Sequence, residues 1–149
     1  MQKIFPFLWF DKQAQEAADY YVKVFTPRGG ETKVTFTSEM YSEFILDGLH
    51  CKALNGGPHP AAKFNDSISM FVTCENQKEV DYLWDKFIAD GGKASRCGWL
   101  KDKYGMSWQI IPRQLMELMS KDKTGKVMQA MMKMSKIIVK DLESAYIGL

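Results

Sequence analysis

The sequence predicts an α+β chain of two tandem β-α-β-β-β modules followed by a helical tail. Three observations carry this reading. Strand-like alternation, a helical stripe and three short strands occur in that order twice, displaced by roughly 60 residues, which marks an internal repeat. A breaker cluster, Gly56-Gly57-Pro58-His59-Pro60, separates the two copies. Beyond Pro112 the pattern turns helical to the end of the chain. The modules are placed at residues 3–57 and 66–112 of one domain spanning 1–149, with the tail at 113–149.

Each element has its own signal. Residues 4–10 are aromatic-rich and alternate, as a strand does. Ala14, Ala17, Ala18, Tyr21 and Phe25 then fall on one helical face, ended by Pro27-Arg28-Gly29-Gly30. Strands are expected over Thr32–Thr37, Ser42–Leu46 and His50–Asn55, with Asp47-Gly48 as a hairpin turn. In the second module, Ser67–Thr73 alternates with Ile68, Met70 and Val72 on one side. Val80, Leu83, Trp84, Phe87 and Ile88 form the second helical stripe, and Asp90-Gly91-Gly92 closes it. Short strands are expected around Ala94–Cys97, Trp99–Lys101 and Ser107–Ile111, stopped by Pro112. In the tail, Leu115, Leu118 and Met119 form one stripe and Val127, Met128, Met131 and Met134 another; Leu142 and Tyr146 suggest a last helix. These methionines read as a core or dimer-facing stripe, with a promiscuous binding face as the alternative.

Composition narrows the function classes. Of 149 residues, 46% are apolar and 26% charged, ordinary for a globular chain. A formal charge of +2 is too balanced for a nucleic-acid footprint. No apolar run approaches the roughly 18–20 residues that span a bilayer, and the N-terminal run stops at Asp11 without a cleavage site, so neither a membrane nor a secretory context is expected. Cys51, Cys74 and Cys97 are widely spaced and odd in number, which reads as reduced thiols in a cytoplasmic protein. With His50 and His59 the only histidines, a metal centre would consume nearly every His and Cys.

Four stretches carry a family resemblance. They are Pro6-Phe7-Leu8-Trp9-Phe10-Asp11, Ala53-Leu54-Asn55-Gly56-Gly57-Pro58, Cys97–Pro112 (CGWLKDKYGMSWQIIP) and Met128-Gln129-Ala130-Met131. Together they resemble the PhnB-like branch of the glyoxalase, bleomycin-resistance and dioxygenase (vicinal-oxygen-chelate) superfamily, over about Lys3 to Tyr146. That branch is often labelled a 3-demethylubiquinone methyltransferase domain. The resemblance implies a half-open, eight-stranded, barrel-like groove built from both modules, and a homodimer. In metal-using relatives four ligands point into the groove; the matching positions here are Pro6, Ser67, Gln109 and one near Ala53 or Asn55. None supplies an anionic ligand, so no metal and no cofactor are expected.

The expected groove residues are Pro6, Leu8, Ala53, Asn55, Ser67, Ser69, Trp99, Ser107 and Gln109. Strand parity groups Pro6, Leu8 and Phe10; Cys51, Ala53 and Asn55; Ser67, Ser69 and Phe71; and Ser107, Gln109 and Ile111 on that face, with Trp108 and Met70 against helices. Trp99 is read as a stacking platform at the groove mouth or as simple packing. Such a lining suits a small aromatic or hydrophobic molecule bound without a metal. Catalytic residues are not identified: His59 lies in a proline-flanked loop, and Cys51 and Cys97 lack a base and an orienting group nearby in sequence. The alternatives are an enzyme acting on a quinone-like phenol and a structural dimer module. Against methyl transfer, Gly29-Gly30, Gly56-Gly57 and Gly91-Gly92 end elements rather than opening a helix after a strand.

Overall fold

The computed structural model describes residues 1–148. The chain divides into two compact units, residues 1–63 and from Phe64 onward. The first contains β1 (Phe7–Phe10), α1 (Ala14–Phe25), a 3-10 turn (Thr26–Arg28), β2 (Lys33–Thr37), β3 (Tyr41–Leu46) and β4 (Leu49–Asn55). The second contains β5 (Ser69–Cys74), α2 (Gln77–Ala89), β6 (Lys93–Ala94), β7 (Trp99–Lys101) and β8 (Ser107–Pro112). Three tail helices follow: α3 (Arg113–Lys121), α4 (Lys126–Met132) and α5 (Val139–Ile147).

The repeat is reproduced in the strand order. Sheet one runs β1-β4-β3-β2 and sheet two β5-β8-β7-β6, each with its first strand parallel to its last and the remaining pairs antiparallel. A parallel first–last pair needs a crossover, which α1 and α2 provide as the helical layer of each unit. The helices start differently. Asn76 caps α2 locally, accepting from the Glu79 N–H at 3.0 Å. Helix α1 has no such side chain at Gln13; instead the Asn55 carbonyl Oδ1, from the end of β4, accepts from the Ala14 N–H at 2.8 Å.

Burial shows which face each helix covers. In sheet one, Tyr21 of α1 lies 6.1 Å from Phe44, ring to ring, and both are buried. Phe44 pairs with Cys51, and Ser42 with Ala53, which pairs with Leu8; all are buried. The helix-covered face of sheet one therefore holds Leu8, Phe10, Ser42, Phe44, Cys51 and Ala53. This corrects the expected orientation. Pro6, Leu8 and Phe10 share parity as expected, but Leu8 and Phe10 turn toward α1, and Phe7 and Trp9 turn away. In sheet two the expected orientation holds. Trp108 is 2% exposed and lies 5.1 Å from Phe87 of α2, while its neighbour Gln109 faces the other way. Met70, paired with Trp108, is on the α2 side but only half-buried.

Two boundaries differ from expectation. Strand β5 starts at Ser69, leaving Ser67 exposed in a turn where its N–H donates to Asn65 Oδ1 at 2.8 Å. The strand expected over Ala94–Cys97 is confined to Lys93–Ala94, because Cys97 adopts a left-handed φ of 58° and Gly98 one of 82°. Gly98 also meets Ile111 and Ile137 so closely that an added Cβ would lie 2.7 Å from Ile111 Cδ1.

The tail packs on its own unit. Leu115, Val127, Ile137 and Leu142 join Ile111 in a second apolar core, with Leu118, Met119, Met131 and Met134 against it. Of the apolar surface expected of Leu115, Met119, Met128, Met131 and Met134, all but Met128, which stays exposed, pack within the chain. Residues 134 and 135 accept backbone hydrogen bonds from the N–H groups of Cys97 and Gly98, at 2.9 and 2.8 Å. The Gln77 side chain imitates a peptide group beside them, donating to the Ile137 carbonyl at 3.0 Å and accepting from the Val139 N–H at 2.7 Å. Lys136 adds ion pairs to Asp81 and Asp85 at 3.2 and 2.9 Å.

Candidate functional site

The face of sheet one that α1 leaves bare is aromatic around a polar centre. Strand register sets two cross-strand rows: Trp9, Leu54 and Tyr41, then Phe7, Lys52, Glu43 and Phe36. Phe7 and Phe36 are 55% and 50% exposed. The Tyr41 ring lies between them, 6.3 Å from Phe7 and 5.9 Å from Phe36. Trp9 is fixed by the loop after β4: its indole N–H donates to the Gly57 carbonyl at 2.9 Å, and its ring occupies the space a Cβ on Gly56 would need. That contact explains why glycine follows Asn55 in the second motif.

At the centre, Glu43 Oε1 accepts from the Tyr41 hydroxyl at 2.5 Å and from Lys52 Nζ at 3.1 Å. The Lys52 ammonium also lies 4.7 Å from the Phe5 ring centroid and 5.7 Å from that of Tyr41. The Tyr41 hydroxyl and then Lys52 hold the Glu43 carboxyl below its ordinary range, while Tyr41 and Glu43 raise Lys52 above its own. Desolvation, reinforced by Glu43, raises the Tyr41 phenol. At neutral pH the cluster is a carboxylate, an ammonium and a neutral phenol.

Sheet two presents a different bare face. Ser69, Phe71, Ser107, Gln109, Trp99 and Lys101 share it by register. Gln109 Nε2 donates to Ser69 Oγ at 2.9 Å, and the buried Ser107 hydroxyl donates to Asp66 at 2.6 Å. Trp99 is half-buried and stands directly opposite Gln109.

The expected site residues therefore separate. Ser69, Trp99, Ser107 and Gln109 come together on the bare face of sheet two. Leu8 and Ala53 are buried under α1. Asn55 uses its carbonyl to cap α1 and its amide to donate to Gln15 Oε1 and the Glu39 carbonyl, at 2.8 and 2.9 Å. It borders a shallow open depression of about 580 Å³ with Asp11, Lys12, Gln15 and Met40. Pro6 is half-buried before β1 and its carbonyl accepts from the Lys52 N–H at 3.0 Å; Ser67 stays in its turn. Sequence reasoning missed Phe7, Tyr41, Glu43 and Lys52. The signal was present: Tyr41 and Glu43 alternate with buried Ser42 and Phe44, and Lys52 separates Cys51 from Ala53.

Among the described residues, the side chains at the matching positions do not fit either group that the resemblance implies. The four ligand-matched positions hold proline, serine, glutamine and alanine or asparagine, and among the described residues no three His, Cys, Asp or Glu side chains are grouped to hold a metal ion. For a nucleotide-type methyl donor, none of the Gly-Gly pairs joins a strand to a following helix: they follow the 3-10 turn, β4 and α2. Cys51 is buried, which pushes its thiol up to about 12.

The third motif has a structural explanation. Asp102 is buried between β7 and β8 and accepts from the Trp108 indole N–H at 2.9 Å and from the N–H groups of Tyr104 and Met106 at 2.8 and 3.1 Å. One carboxylate thus shapes the Lys103–Gly105 turn and anchors the tryptophan beneath the sheet.

Comparison with known proteins agrees with this architecture. Residues 2–111 match the family described as 3-demethylubiquinone-9 3-methyltransferase, so the tail lies outside the matched region. A PhnB protein from Bacillus cereus, named for the same methyltransferase, is 28% identical, with 74% of this chain covering 99% of that one at a TM-score of 0.63. Protein PA1353 from Pseudomonas aeruginosa is 18% identical, over 75% of this chain and 98% of that one, at a TM-score of 0.57. The fosfomycin resistance protein FosX from Listeria monocytogenes, solved with Mn(II) and sulfate, shares the fold at 11% identity and a TM-score of 0.53, over 72% of this chain and 86% of that one. No curated protein matches. With its tandem β-α-β-β-β units and a family match over residues 2–111, the chain belongs to the PhnB-like family described as 3-demethylubiquinone-9 3-methyltransferase.

Proposed function

We propose that this chain binds a small planar aromatic molecule, without a metal ion, on the bare face of sheet one. The observation that supports this is the set of exposed Phe7, Phe36 and Trp9 rings, with the half-buried Tyr41 ring, around the Glu43–Lys52 pair. Aromatic surface left in water on a rigid strand framework gains by stacking on a ligand, and the polar centre fixes its orientation. Sheet two offers a second, more polar surface in Ser69, Gln109 and Trp99, with Ser107 buried beneath it. The reading extends to a cytoplasmic homodimer. Its supports are three free thiols and the methionines Met116, Met128 and Met132, which stay about half-exposed after the tail has packed. Sedimentation would separate a dimer from a 17.1 kDa monomer.

A thermal-shift panel of planar aromatics tests the binding claim, run with and without S-adenosylmethionine and with and without Mn²⁺ or Zn²⁺. Stabilisation by at least one aromatic, unchanged by metal, is the expected result. Stabilisation only when a metal is present would overturn the metal-free reading. Stabilisation by S-adenosylmethionine itself would favour transfer chemistry instead.

A further inference from the structure

Resting on that reading, we propose a chemical class for the ligand: a heteroaromatic lactam, whose ring edge carries a carbonyl acceptor beside an N–H donor, read by Lys52 and Glu43. The argument starts from the pairing. Lys52 and Glu43 stand directly opposite on β4 and β3, with side chains only 29% and 37% exposed. Both Tyr41 and Lys52 donate to the same oxygen, Oε1, so the second oxygen of Glu43 takes neither hydrogen bond. Lys52 donates to Glu43 and interacts with the Tyr41 hydroxyl, so its three N–H donors are not all engaged, and the ammonium sits over the faces of Phe5 and Tyr41.

A ligand that stacks on Phe7, Tyr41 and Phe36 covers this pair and strips water from it. A purely apolar ring gives nothing back, and a desolvated charge without a replacement partner is costly. An anion is repelled by Glu43 and a simple cation by Lys52. A neutral ring with both an acceptor and a donor on one edge answers each group, because the 3.1 Å contact of Lys52 Nζ with Glu43 Oε1 holds the ammonium and the carboxylate side by side. The aromatic positions supply stacking, which every planar ring shares; the charged pair supplies the discrimination.

The test titrates the intact protein with lumazine (pteridine-2,4-dione), its 1,3-dimethyl analogue and naphthalene, following ligand fluorescence. Lumazine carries the donor–acceptor edge; the dimethyl compound keeps the rings and carbonyls but lacks the donors. Lumazine is expected to bind at least about tenfold more tightly than its dimethyl analogue. In Glu43→Gln and Lys52→Met that preference should fall to about twofold or less, while Tyr41→Phe should retain it. Circular dichroism establishes folding of the variants; if either fails to fold, the wild-type comparison of lumazine with its dimethyl analogue decides alone. Equal binding of the two pteridines, or binding of naphthalene but not lumazine, overturns the lactam class and leaves the aromatic-binding reading standing. Binding of none of the three, together with a silent thermal-shift panel, overturns both.

Discussion

Replacing Asp102 by alanine should destabilise the second unit more than any other single polar change in it. The carboxylate is 4% exposed, and among the hydrogen bonds it accepts are those from the Trp108 indole and the Met106 amide, which are buried. Another comes from the half-buried amide of Tyr104. Hydrogen bonds to a charged group contribute about 1.5–3 kcal/mol each, and a buried donor left without a partner costs about 1–3 kcal/mol. Alanine leaves room for water to reach some of these donors, so the three losses do not simply add. A cost of about 3–5 kcal/mol follows for Asp102→Ala. Urea denaturation followed by circular dichroism would measure it, with Trp108→Phe as the second arm of a double-mutant cycle. Removing the indole N–H first should reduce the cost of losing Asp102 by about 1 kcal/mol or more, because the two groups answer each other. A cost below about 1 kcal/mol for Asp102→Ala, on the scale of an exposed substitution, would show that this carboxylate does not organise the turn.

Three further outcomes are expected. Leu8→Ala should cost about 2–5 kcal/mol and Phe7→Ala far less, because Leu8 is buried under α1 and Phe7 is largely exposed; the reverse order in urea melts would show sheet one to be turned over. In the native protein Cys97 should react with a thiol reagent before Cys51 and Cys74, which are buried, with Cys51 further protected by a thiol pushed up to about 12; mass spectrometry of partly labelled protein reads the order, and early labelling of Cys51 would contradict its burial. The Asp81 carboxyl is held below its ordinary value first by the Gln77 amide and then by Lys136. Its contribution is therefore present above the unfolded value near 3.8 and is lost as pH falls through the lower folded value. Asp81→Asn should flatten that part of the acid-stability profile, and an unchanged profile would separate this carboxylate from tail attachment.

The sequence resolved the order of elements because each unit repeats the change from alternation to helical spacing and back. It also resolved the orientation of sheet two, where Ser69, Phe71 and Thr73 alternate with Met70, Val72 and Cys74 against the Trp108 side. Sheet one was harder. Its first strand reads Phe-Leu-Trp-Phe, apolar on both faces, so parity groups its residues without saying which group meets the helix. The polar half of the answer lay on β3 and β4, where opposite charges at Glu43 and Lys52 face each other, a pairing visible only once the register is known. The fate of Asn55 was hidden for a related reason. Helix α1 has no capping side chain at Gln13, and the residue that supplies the acceptor lies 41 positions beyond Ala14. The position of the tail likewise depended on backbone partners at Cys97 and Gly98, which no side-chain pattern announces.

Gln77 and the chain around Ile137 have a consequence for the bare face of sheet two. The segment that holds residues 95–98 lies beyond the region shared with the family, yet Trp99 begins immediately after it and stands opposite Gln109. Without the carbonyls of Met134 and Ser135, the N–H groups of Cys97 and Gly98 would turn to water, and the left-handed pair there would lose its outer restraint. A segment outside the matched region thus restrains the start of β7. The freedom of Trp99 to move can therefore change through residues 133–139 while every side chain on the sheet stays the same.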